Sequence, residues 1–95
     1  MVFRRQLMDL LAQGPRTASS LARELKIDRP DIEAELLHVI RSAQAAGHRV
    51  AVEPARCRGC GFVFGDDRLT KPGRCPRCRQ SRIFEPLIRV ERAGG

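Results

Sequence analysis

Ninety-five residues, 42% of them apolar and 31% charged, have room for one domain or for a small domain with an attached module, and this balance excludes intrinsic disorder. No apolar stretch approaches the roughly 18 residues a membrane span needs. The opening MVFRRQLMDLLAQGP also lacks the long apolar core and cleavage site of a secretory signal, so the chain is expected in the cytoplasm. With no Tyr, no Trp and two His, there is little material for a catalytic cleft, and no enzyme activity is expected.

The first element is an amphipathic helix over residues 2–13. Phe3, Leu7, Leu10 and Leu11 recur at helical spacing, with Arg4, Arg5, Gln6 and Asp9 between them. Gly14-Pro15 stops it. Arg16-Thr17-Ala18 is then a short extended link. Ser19 and Ser20 are placed to cap a second helix, whose Leu21, Ala22 and Leu25 face inward. After a brief turn at Lys26-Ile27, Asp28 caps a third helix that tolerates Pro30 in its first turn. That helix should run to Ala45 or Ala46, with Gly47 where a C-cap belongs and Ile32, Leu36, Val39, Ile40 and Ala43 as its apolar stripe.

Beyond Gly47 the period changes to two. His48 to Glu53 reads as a strand ended by Pro54, and Leu87 to Glu91 alternates in the same way. The two are natural antiparallel partners, with the intervening segment inserted at the tip of their hairpin. Gly94-Gly95 is expected to fray. His38 on a helix face and His48 at a strand start read as solvated residues rather than ligands.

The charge is unevenly placed. The formal net is +7, from 18 basic and 11 acidic residues; residues 1–55 net +1 and residues 56–95 net +6. Sixteen of the cations are Arg, which suits bidentate phosphate contacts. Arg-rich codon usage would explain that ratio equally well, but not the clustering.

All four cysteines lie in the basic part. Cys57 and Cys60 form one C-x2-C pair, and Cys75 and Cys78, after fourteen residues, form the other. Each pair on a tight turn can supply two vertices of a tetrahedron, so the spacing predicts a four-thiolate metal site. A reducing cytoplasm disfavours two structural disulfides. Zinc, one ion per chain, is favoured, and iron fits the same donor set. Four thiolates around a divalent ion would lower the net charge from +7 to +5.

The segment GPRTASSLARELKIDRPDIEAELLHVI resembles the helix-turn-helix of many prokaryotic regulators, and short three-helix bundles share its periodicity. CRGCGFVF at 57–64 and RCPRC at 74–78 resemble the knuckles of a rubredoxin-like zinc ribbon. Arg79 departs from that pattern, since many knuckles carry Gly there, and it predicts a slightly less regular second knuckle. Together these features resemble small archaeal and bacterial transcriptional regulators in which a winged helix-turn-helix is fused to a C-terminal rubredoxin-like zinc ribbon. The resemblance implies an α+β fold. Residues 1–55 form the winged helix-turn-helix, with a closing strand near 86–92, and residues 56–83 form the ribbon. It also implies a DNA-binding role in transcription without catalysis.

In that fold the third helix reads the major groove. Here its outward face carries Asp31, Ala34, His38, Arg41 and Ser42, with Glu33 and Glu35 alongside and Asp28 at its start. These acids would meet phosphate with the wrong sign. The expected DNA contacts are therefore Arg56, Arg58, Arg74, Arg77 and Arg79 of the ribbon, with Arg41 on the helix. The first three of four alternatives stay open: those arginines offset the negative cage; the chain is an adaptor that binds a protein partner; it is a rubredoxin-like iron electron carrier. The fourth, a homodimer through helix 1 and the chain ends, is neither required nor excluded. No membrane partner is expected.

Overall fold

The computed structural model describes residues 3–65 and 68–92. Helix α1 spans Arg4–Gln13, α2 Ala18–Leu25 and α3 Arg29–Ala45. Four short strands follow: β1 Arg49–Glu53, β2 Arg56–Cys57, β3 Ile83–Phe84 and β4 Leu87–Glu91. The start and end of the chain, including Gly94-Gly95, lie outside the described residues.

Local chemistry sets the helix boundaries. The second helix starts two residues earlier than a cap at Ser19 suggests. Thr17 is its N-cap: its hydroxyl accepts from the Ser20 N–H at 3.1 Å, and the Thr17 N–H donates to Ser20 Oγ at 2.9 Å. This reciprocal pair satisfies donors that the first turn would otherwise leave open. Ser20 thus acts at the third helical position, and Ser19 is free to donate to Glu85 Oε1 at 2.9 Å. Asp28 holds the N-cap of α3 by backbone conformation, without a side-chain bond, and Pro30 sits in the first turn. The C-terminus of α3 is a Schellman closure: Gly47 N–H donates to Gln44 O and His48 N–H to Ala43 O, with Gly47 at φ 85°. Gly47 is thus the left-handed residue that turns the chain into β1.

Strands β1 and β4 pair antiparallel over their full length, from Arg49 opposite Glu91 to Glu53 opposite Leu87. The link before α2 joins this sheet, since Arg16 and Ile88 exchange both backbone hydrogen bonds at 2.9 Å. The hairpin therefore has a third, one-residue member on its β4 side. Strand β4 lies against α1 and β1 against α3. The alternation of β4 puts Ile88 and Val90 inward, where they complete a core with Leu7, Leu11, Leu21, Ile32, Leu36 and Val39. None of these is more than 1% exposed.

A second, separate core holds Ala55, Cys57, Phe64, Cys75 and Ile83. It closes around the small β2–β3 sheet, in which Arg56 opposes Phe84 and Cys57 opposes Ile83. Leu69 belongs by sequence to the ribbon but packs against the helical core, so the ribbon contributes one anchor to the other half. The molecule is elongated, 42 × 28 × 18 Å, as two small cores joined through one hairpin require. Among the described residues, no helix is long and apolar enough to cross a membrane.

Candidate metal centre

Two equivalent turns present the cysteines. In the first, Cys57 N–H donates to Phe62 O and Gly61 N–H to Cys57 O; in the second, Cys75 N–H donates to Gln80 O and Arg79 N–H to Cys75 O. Gly59 N–H and Arg77 N–H each point at the sulfur two residues back, at 3.4 Å. Both turns need a left-handed residue after the second cysteine, and Gly61 (φ 79°) and Arg79 (φ 63°) supply it. The second knuckle is thus as regular as the first, contrary to the expectation from Arg79. The two backbone hydrogen bonds that close this turn hold Arg79 in a conformation that costs a non-glycine residue about 1–2 kcal/mol.

That asymmetry is testable. Gly61→Ala meets no steric obstacle within 4 Å but must adopt φ 79°, so it is expected to weaken metal retention by about 1–2 kcal/mol. Arg79→Gly is expected to strengthen retention by up to about 1 kcal/mol. Competition against a chromogenic chelator measures both.

The four Sγ atoms lie within 4.8 Å of one another. Cys57 and Cys78 are 3.4 Å apart, and Cys60 and Cys75 3.6 Å. A tetrahedron of metal–sulfur bonds near 2.3 Å has edges of about 3.8 Å, so the donor set fits one four-coordinate ion. Cys57 and Cys75 are buried and Cys60 is exposed, so a bound ion would be reached by solvent from the Cys60 side.

The electrostatics of the bare cluster call for a cation. The N–H groups of Cys60 and Gly59 draw the Cys57 pKa down to about 6 against its burial. Burial opposes ionisation of Cys75 as well, but the N–H groups of Cys78 and Arg77 outweigh it and the pKa falls. At Cys60 the Phe62 N–H pulls downward, yet burial and the neighbouring Cys75 and Cys57 sulfurs raise the pKa on balance. At Cys78 the Gln80 N–H likewise pulls downward, but burial and three nearby sulfurs push the value up to about 12. Backbone dipoles favour a thiolate at every position, while the neighbouring sulfurs raise the pKa at Cys60 and Cys78. Binding a metal ion to a thiol releases its proton.

Around the cage, Phe62 and Phe64 stack edge to face at 5.1 Å, and Arg68 lies 5.7 Å from the Phe64 ring. Arg56, Arg58, Arg74, Arg77 and Arg79 are all exposed, as is Arg41 on α3. Among the described residues the ion pairs are Arg4–Glu35, Arg16–Glu24 at 2.7 Å, Arg29–Glu33 at 3.7 Å and Arg92–Asp9 at 2.6 Å. None uses a ribbon arginine. The outward face of α3 is as read from the sequence, with Asp31, Ala34, His38, Arg41 and Ser42 exposed. Two of its acids are engaged, however: Glu33 with Arg29, and Glu35 with Arg4, whose hydrogen bond lowers the Glu35 pKa. No local pattern signals the Arg4–Glu35 pair, which joins residues 31 positions apart.

A three-helix domain closed by a hairpin, with a four-cysteine knuckle module set into the hairpin, defines a helical domain carrying a rubredoxin-like zinc ribbon. Residues 54–93 match the PF0610 rubredoxin-like zinc beta-ribbon domain, and residues 3–51 match the PF0610-like N-terminal domain. The chain belongs to the PF0610-like family. It is similar to the solution NMR structure of protein PF0610 from Pyrococcus furiosus, at 33% identity over 94% of this chain and 88% of that one, with a TM-score of 0.79. Among curated proteins there is no significant match.

Proposed function

We propose that this protein is a non-enzymatic, DNA-binding transcriptional regulator of the cytoplasm. In this reading the helical half is a winged helix-turn-helix, and a structural zinc ion holds the ribbon in shape. The element order supports it: α2 and α3 are separated by the short turn at Lys26, and the hairpin of β1 and β4 follows α3, with Arg16 bridged to β4. The observation that carries it is the cluster of exposed arginines on the ribbon. Arg56, Arg58, Arg74, Arg77 and Arg79 crowd one small module and have no ion pair among the described residues, whereas the cations of the helical half are spread out and three of them, Arg4, Arg16 and Arg29, are engaged by acidic partners. An arginine without an ion pair gives up no carboxylate to bind phosphate. Ser19 bound to Glu85 and Leu69 seated on the helical core tie the ribbon to the helices, so both halves can face one duplex.

Zinc is favoured over iron because the ribbon is basic and attached to a helical domain, unlike a free-standing electron carrier. Purified protein should be colourless with one zinc per chain; a red iron-thiolate protein would contradict this.

The test of DNA binding is a charge comparison on random duplex at several salt concentrations. Replacing Arg77 and Arg79 with Ala is expected to weaken binding to all sequences alike and to lower the slope of log K against log salt by nearly two. Zinc content is checked in the same samples. Asp31→Ala should leave binding unchanged or strengthen it, because it removes like charge from the phosphate field. A silent arginine pair together with loss of sequence preference in Asp31→Ala would place base reading on α3. No duplex binding at low salt would overturn the DNA reading in favour of a protein-binding adaptor.

A further inference from the structure

A cleft of about 570 Å³ lies away from the sulfurs, between the base of the ribbon and the ends of β1 and β4. Its shape follows from strand alternation in the small sheet. Cys57 and Ile83 point inward and are buried, so their neighbours Arg56, Arg58 and Phe84 share the opposite, outer face. Arg56 sits directly across from Phe84, and Arg58 N–H donates to Arg82 O one step further along. The Arg56 and Arg58 guanidiniums lie 5.2 and 5.1 Å from the centre of the Phe84 ring. The ring is 46% exposed, and Val63, which also lines the cleft, is 58% exposed. Lys71 and the apolar Leu87 line it as well.

The fold thus leaves a flat aromatic ring in water and holds two planar cations against it. Neither arginine is neutralised by a carboxylate among the described residues. Two acids do line the cleft. Glu85 accepts a hydrogen bond from Ser19 on α2, and Glu53 stands at the end of β1. The three cations outnumber them. An apolar, planar surface beside unpaired cations is what an unstacked nucleobase and its flanking phosphates need.

We propose that this cleft binds single-stranded nucleic acid, with an unpaired base against the Phe84, Arg56 and Arg58 platform and the adjoining phosphates on Arg56, Arg58 and Lys71. This goes beyond the duplex reading. Arg74, Arg77 and Arg79 do not line the cleft, so the two can fail separately.

The test uses zinc-loaded full-length protein, fluorescently labelled dT15 and a random duplex of similar length, each followed by anisotropy at low and moderate salt. Phe84→Leu keeps an apolar side chain in β3 but removes the π face; Phe84→Trp keeps one. Phe84→Leu is expected to weaken dT15 binding about tenfold and duplex binding less than about twofold, with Phe84→Trp close to the native protein. Unchanged zinc content and circular dichroism establish that the variants fold. Equal dT15 affinity for native protein and Phe84→Leu would overturn the proposal. So would no dT15 binding at low salt, or saturable binding of an acidic, phenylalanine-containing peptide that dT15 fails to displace. Loss of duplex binding alone would contradict the regulator reading and leave this site standing.

Discussion

Replacing Cys60 with serine is expected to abolish stoichiometric zinc binding and unfold the ribbon while the helices persist with a reduced margin. The ribbon core is small: Ala55, Cys57, Phe64, Cys75 and Ile83, with two of the five being ligands themselves. So little apolar surface cannot hold a loop of this length, whereas a structural zinc contributes on the order of 10 kcal/mol or more to such modules. Most of the helical core lies in residues 7–43, outside the ribbon, but it depends on the ribbon in one respect. Ile88 and Val90 of β4 belong to the helical core, yet the ribbon separates them from β1. With the ribbon folded, that connection is short-circuited by the β2–β3 pair. With the ribbon unfolded, closing the β1–β4 hairpin spans the whole segment from Pro54 to Pro86, at an added entropic cost of about 2 kcal/mol. Elemental analysis together with amide NMR of Cys60→Ser reads both effects: dispersed ribbon signals with zinc retained would refute the account, as would thiols found paired as disulfides under reducing conditions.

Replacing Ile88 with alanine is expected to destabilise the zinc-loaded protein by about 2–5 kcal/mol. This residue is fully buried against the helices. Its backbone also holds Arg16 through two hydrogen bonds, and the alanine variant keeps these. The loss is therefore a cavity effect, and for a domain of this size each kcal/mol corresponds to a midpoint drop of about 4–8 °C. Arg89→Ala, next along the same strand on the exposed face opposite Ala51, is the control and should stay within about 0.5 kcal/mol. Thermal unfolding of the two variants side by side decides the matter. Equal midpoints would mean that β4 does not close the helical core.

Much of the site was legible in the sequence because its signals are local. C-x2-C spacing fixes ligand identity before any fold is known, and Gly14-Pro15 and Gly47 mark helix ends by their backbone restrictions. The alternation of Val50, Val52, Ile88 and Val90 identified the hairpin. What escaped depends on distant partners. Two-residue strands such as Arg56–Cys57 carry no period to detect, and they form because the knuckles bring them together. Thr17 and Ser20 cap α2 jointly, a choice that single-residue preferences leave open between the hydroxyls of Thr17, Ser19 and Ser20. Arg79 takes a glycine conformation because its turn is closed by two backbone hydrogen bonds. Leu69 counts by sequence toward the ribbon but finds the larger apolar surface of the helices. The outer face of Phe84, Arg56 and Arg58 became visible only once β2 and β3 were in register.

Amide chemical-shift mapping of the zinc-loaded protein, titrated with a short random duplex at low salt, decides whether the metal-held ribbon or the start of α3 meets the phosphates. Perturbations are expected at Arg56, Arg58, Arg74, Arg77 and Arg79 and their neighbours, shrinking as salt rises, with Asp28 to Glu35 little changed. Perturbations concentrated on Asp28 to Arg41 of α3, with the ribbon arginines silent, would overturn the assignment to the ribbon.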